Sequence, residues 1–304
     1  MTVHVDRAVA VATRPPVPRR RRTAVRVPPL QLLGLAMVLT VTAFALLYPL
    51  VPAYDPMTQD VLRANIPPGA EAGHWLGTDV LGRDLASRLA LASRVTLGIA
   101  VLVVVATAFI GLVLGTVSGY VGGKVDTLIM GIADIQLAIP VIMVVIALAA
   151  AVGANVGLMV LVLVLTLWVN YARVARALTL SLRERDFVIS PRIQGASGWW
   201  AVRKHVVPNV AVQMLVIATA ELGAVILATS SFDYLGLGVQ APTPSWGSMI
   251  SEGQKFFRQA PFLSLVPGAT IVLVVVGVNL VSQRFTSENA PRPARRRRKE
   301  RGAR

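Results

Sequence analysis

Six long apolar runs, each close to the length that crosses a lipid bilayer, constrain this chain more than any other feature. A hydrocarbon core of about 30 Å takes roughly 20 helical residues. Without water, every backbone N–H and C=O in such a run must be satisfied by the run itself, which selects the α-helix. Residues 30–51 and 95–121 carry no charge. Residues 135–172 are uncharged over 38 positions; as one helix they would extend roughly 57 Å at 1.5 Å per residue, too far for one crossing. Turn formers cluster at Gly153-Ala154-Asn155-Val156-Gly157, so the run divides there, giving a third span at 128–152 and a fourth at 156–178. A fifth, at 206–230, is interrupted only by Glu221, and a sixth covers 262–283. The pattern specifies an all-α membrane protein of six transmembrane helices with both termini on one side.

Composition agrees. With 55% hydrophobic and 15% charged residues, 304 residues hold too much apolar surface for a soluble globule. The absence of cysteine excludes disulfides, iron–sulfur clusters and thiolate metal sites. His4, His74 and His205 lie far apart in sequence, so no histidine-rich metal site is expected.

A net charge of +15 raises nucleic-acid binding, but the charges avoid the apolar runs. Of the 30 lysines and arginines, 24 fall up to residue 26, at Lys124, within 173–204, or from 284 onward. That asymmetry places those segments, and both termini, in the cytoplasm. The basic runs 19–22 and 295–299 then read as topology signals that touch anionic lipid, with no nucleic acid required. The first apolar run, 22 residues, exceeds the 7–15 of a signal-peptide core, so it is read as an uncleaved anchor. The expected organisation is a basic tail (1–28), a first helix with an external loop (29–92), a five-helix core (93–284) and a second basic tail (285–304).

Several motifs lie between the runs. In the first loop, glycines bracket Asp79 and are followed by Arg83-Asp84, which suits a compact turn held by side chains. A metal reading of His74, Asp79 and Asp84 is weak, since such carboxylates usually pair with a nearby arginine. Gly122-Gly123-Lys124 lacks both the preceding glycine and the following Ser or Thr of a phosphate loop. Gly236-Leu237-Gly238-Val239-Gln240-Ala241 has dinucleotide spacing, yet Pro242 follows directly and no strand–helix unit surrounds it. The proline- and glycine-rich segment 231–250 is expected to form a rigid, non-helical turn on the outer face.

In the inward segment 190–208, Gly195-Ala196-Ser197 permits a close-approach turn. Trp199-Trp200 opens an amphipathic stretch, and Pro208 suits the first turn of a following helix. Such a stretch lies on lipid headgroups or docks a soluble partner. Asp134 and Glu221 fall inside spans, where carboxylates face a bundle interior or a watery path.

Taken together, Gly77-Thr78-Asp79-Val80-Leu81-Gly82-Arg83-Asp84 with Ser87-Arg88, Gly119 to Asp126 leading to Asp134 and Pro140, Gly195-Ala196-Ser197 with His205 and Pro208-Asn209, and 231–250 resemble the C-type permease subunit of dipeptide/oligopeptide ABC importers. The likeness covers roughly residues 28–282. It implies a non-catalytic subunit of the plasma (inner) membrane with the type I importer permease fold. Its implied partners are a B-type permease, two cytoplasmic ATPase subunits, an external peptide-binding protein, the peptide substrate and membrane lipid. No cofactor or metal is implied for this chain, ATP and Mg being used by the ATPases. Gly195, Ala196, Ser197, Trp199, Trp200, His205 and Pro208 are implied to couple to an ATPase. Asp79, Arg83, Asp84, Gln240 and Trp246 are implied to sit on external loops facing the binding protein, with Asp134 and Glu221 along the path.

Two departures stand out. Ile189-Ser190-Pro191 replaces the Glu-Ala-Ala that opens the family's coupling motif, and Pro191 is expected to delay the docking helix to about Arg192. The stretch after Asn279 also diverges. Nickel-import permeases share the pattern, so nickel chelates stay open as cargo. A different class is an ion-coupled secondary transporter using Asp134 and Glu221, but no inverted repeat or matched pair of broken helices is evident in the sequence.

Overall fold

The computed structural model describes residues 29–51 and 55–289, the last six of these as backbone only. The two basic tails therefore lie outside the described residues for most of their length. The described residues form ten α-helices and no named strand: α1 (Pro29–Leu47), α2 (Leu85–Val121), α3 (Gly123–Leu137), α4 (Val141–Val152), α5 (Val156–Leu182), α6 (Asp186–Ile193), α7 (Gly198–Ala201), α8 (Val207–Tyr234), α9 (Trp246–Gln254) and α10 (Phe262–Asn289). A π-helical turn over Val202–Val206 joins α7 to α8 into one continuous rod. Five helices are long and apolar enough to cross a membrane, or six if the bent pair α3–α4 is counted as one broken span.

Expected boundaries shift where charge points the wrong way. The uncharged run places the start of the second span at residue 95, but α2 begins at Leu85 behind an N-cap by Asp84, whose carboxylate accepts from Ser87 N at 2.7 Å. Arg88 and Arg94 fit inside it because tertiary partners satisfy them: Arg94 donates to the carbonyls of Ala45 at 2.5 Å and Leu46 at 3.1 Å, the free C-terminal carbonyls of α1. The third span is not one straight helix. α3 and α4 meet at 79°, because Pro140 brings no N–H and disfavours helical geometry in the residue before it.

Small residues set the packing. Gly111, Gly115 and Gly119 form a stripe along α2 that lies directly on α5. A Cβ on Gly115 would come within 2.3 Å of Ala172 O, and one on Gly111 within 2.3 Å of Tyr171 Cβ, the close backbone approach through which helices associate without a hydrophobic driving force. Gly34 and Gly277 do the same between α1 and α10, where a Cβ on Gly34 would sit 2.6 Å from Leu280 Cβ. That contact brings the start of α1 beside the far end of α10, so the two described ends of the chain lie at one end of the bundle. Leu85, Val103, Met159, Leu163, Ile226 and Val274 fill the centre.

Candidate functional site

The end of the bundle between α1 and α2 is built around Asp79. Gly77 and Gly82 take positive φ, 85° and 75°, and a Cβ on Gly82 would stand 1.7 Å from Asp60 O. Only glycine fits there. The resulting turn lets Asp79 accept from Leu81 N at 2.8 Å, Arg83 N at 2.9 Å and Arg83 Nε at 2.7 Å, and also from Arg88 Nη1. Glu252 on α9 completes the cluster, 3.0 Å from Arg88 and 3.4 Å from Arg83. Two cations thus meet two carboxylates, the condition under which buried charge is tolerated. His74 Nδ1 lies 3.0 Å from Asp84 Oδ1.

The segment after α8 is held as firmly. Asp233 accepts from Val239 N at 2.8 Å, and a Cβ on Gly238 would lie 2.0 Å from that carboxylate. Gln240 donates to Gly236 O and Gly238 O, bracing the turn from outside. Trp246 is fully buried; its indole N–H donates to Ser93 Oγ at 3.0 Å and its backbone N–H to Thr96 Oγ1 at 3.2 Å. The expected non-helical turn over 231–250 is corrected at both ends. Residues up to Tyr234 belong to α8, and α9 begins at Trp246 behind a reciprocal Ser245–Ser248 cap, because serine side chains satisfy the first free N–H groups of a helix. Of the five residues singled out on these loops, Asp79, Arg83, Asp84 and Trp246 are buried within the chain and Gln240 is exposed.

At the opposite end, α6 and α7 flank the Gly195 turn. The expected delay of the helix to Arg192 does not occur: α6 runs from Asp186 with Pro191 inside it. Pro191 forfeits the backward bond to the Phe187 carbonyl, but the helix is retained, and the Pro191 carbonyl accepts from Ala196 N at 2.9 Å to close the turn. Gly195 takes φ 94° with open space around its Cα, and Ser197 caps α7 by accepting from Trp200 N at 3.2 Å. Val188, Ala201, Val206 and Val210 pack on Tyr171 and Ala175 of α5 and anchor this platform, while Trp199 and Trp200 stay exposed. His205 stacks edgewise on Trp200 and Phe187. Its carbonyl accepts from Asn209 Nδ2 at 2.6 Å, and Pro208 occupies the first turn of α8.

Asp134 and Glu221 are not brought together by any hydrogen bond or ion pair. Asp134 accepts from Arg173 at 2.6 Å in an exposed pair joining α3 to α5. Glu221, half-buried on α8, forms no ion pair among the described residues. A pair that the sequence reading misses lies nearby: Arg176 donates twice to Asp126, at 2.5 and 2.6 Å, and Ser118 joins them. A signal exists for it, because Arg173 and Arg176 stand one helical turn apart in an otherwise apolar stretch. Glu252 carries no local signal.

Residues 111–292 match the family model described as binding-protein-dependent transport system inner membrane component. The chain belongs to that family. This permease is 33% identical over 252 residues to the oligopeptide transport system permease protein OppC of Bacillus subtilis, covering 83% of this chain and 82% of that one. It is 35% identical over 228 residues to the nickel transport system permease protein NikC of Escherichia coli K12, covering 75% and 82%. It is 31% identical over 252 residues to the dipeptide transport system permease protein DppC of Alkalihalophilus pseudofirmus, covering 83% and 82%. Its five apolar helices and bent pair suit an inner-membrane transport component.

Proposed function

We propose that this permease is the C-type subunit of an ATP-driven importer of dipeptides or oligopeptides. Similarity to oligopeptide and dipeptide permease proteins over about four fifths of the chain carries that reading. A B-type permease shares the translocation path, two ATPase subunits sit on the cytoplasmic side, and a binding protein delivers peptide from outside. The excess of lysine and arginine orients the α6–α7 end, and both termini, toward the cytoplasm.

In this arrangement the Gly195–Ser197 turn, with Trp199, Trp200, His205 and Pro208, docks into an ATPase. Its anchorage on α5 supports the role, since a push on the turn is passed directly to a helix that spans the bilayer. The clusters around Asp79 and Asp233 support a second role: their buried side chains hold the outer loops in one shape, so that loop surface and Gln240, rather than Asp79 or Trp246 themselves, meet the binding protein. Asp134 and Glu221 lie along the path.

Likeness to a nickel permease favours nickel chelates as the second reading. Stimulation of ATP hydrolysis in the reconstituted complex separates the two. Peptides delivered by the binding protein raise the rate under the leading reading, and chelated nickel raises it under the other.

A further inference from the structure

Between α2 and α8 runs an apolar groove that no described residue covers. Phe109, Val113 and Val117 of α2 face Val202 and Val207 across a cavity of about 200 Å³. The groove continues along Val105, Met214 and Leu215 into a second cavity of about 210 Å³. Phe109 is 65% exposed and Leu215 68%, although both belong to spanning helices.

One end of the groove is ringed by Tyr120 and Trp199, aromatic residues of the kind that settle at a membrane–water boundary. One cation stands at that end and two more follow on the same segment. The Arg192 guanidinium lies 5.9 Å from the centre of the Tyr120 ring, Lys204 Nζ lies 5.2 Å from that of Trp200, and Arg203 follows Trp199 by about one turn. None of them forms an ion pair among the described residues. The Tyr120 hydroxyl beside them is buried without a hydrogen-bond partner.

We propose that this groove holds an anionic phospholipid, with an acyl chain along Phe109, Val113 and Val117 and the headgroup phosphate at Arg192, Arg203 and Lys204. A helix from another subunit would fill the apolar part but bring no counter-charge to Arg192 at the Tyr120 end. An anionic lipid satisfies both, as basic pockets between spanning helices do for acidic headgroups.

Native mass spectrometry of the detergent-purified, delipidated complex tests this with phosphatidylglycerol and with phosphatidylcholine of the same acyl chains. Phosphatidylglycerol is expected to be retained roughly tenfold better, and that preference is expected to vanish in Arg192→Gln/Arg203→Gln. Val113→Trp, which fills the groove, is expected to lose bound lipid, whereas Val212→Trp, on an exposed face outside it, is expected to keep it. A photocrosslinking residue at Val113 is expected to capture lipid. Equal retention of the two lipids, unchanged retention in Val113→Trp, or capture of another transporter subunit would overturn the proposal.

Discussion

Arg88 and Glu252, 164 residues apart in sequence, meet at 3.0 Å and tie the start of α2 to α9. The same Arg88 guanidinium is held by Asp79 in the preceding loop. One buried cation therefore fixes two separate connections between spanning helices. The two carboxylates differ sharply in exposure, 4% for Asp79 and 40% for Glu252. Asp79→Asn leaves two arginines short of counter-charge in a buried place and is expected to cost about 3–5 kcal/mol. Glu252→Gln is expected to cost no more than about 1 kcal/mol, because solvent screens that side of the pair. Unfolding midpoints in detergent check the order.

Trp246 fills the space where α9 meets α2. Trp246→Ala is expected to cost about 3–5 kcal/mol through lost packing. Trp246→Phe keeps most of the ring but drops the bond to Ser93, for about 1 kcal/mol. Equal losses would mean that the hydrogen bond, rather than the packing, holds α9 in place.

The glycine stripes give a contrast. Gly115→Val drives a side chain into the α5 backbone and is expected to prevent stable accumulation in the membrane. A Cβ added to Gly131 on α3 would meet nothing within 4 Å, so Gly131→Val is expected to leave this chain's own fold intact. Membrane yield and protease resistance of the two variants provide the comparison.

Gly195 stands at φ 94° in open space. Gly195→Ala meets no clash within the chain but strains the turn by roughly 1–2 kcal/mol. Insertion is expected to persist while transport and substrate-stimulated ATP hydrolysis fall together. Wild-type coupling in this variant would remove the docking role from the turn.

The five long apolar helices and the bent α3–α4 pair are legible in the sequence because hydrocarbon forces long uncharged helices, and the break at Gly153 because turn formers cluster there. The true start of α2 is not. Arg88 and Arg94 argue against a spanning helix when read locally, and only Asp79, Glu252 and the carbonyls of Ala45 and Leu46 make them acceptable. Pro191 misleads for a related reason: α6 forms despite the lost bond to the Phe187 carbonyl, with Val188 packed on α5 and the Pro191 carbonyl bound by Ala196 N, none of which composition reveals. The Asp79 and Asp233 motifs do form ordered turns, with Asp79 and Trp246 buried inside the chain. A motif tells which residues matter before it tells which way they point.

The most direct measurement is uptake of a labelled dipeptide by proteoliposomes containing this permease, its partner permease, both ATPases and the binding protein. An ATP-driven importer gives saturable accumulation that requires ATP on the ATPase side and persists when proton and sodium gradients are collapsed. Accumulation that follows an ion gradient without ATP, and disappears in Glu221→Gln, would contradict it.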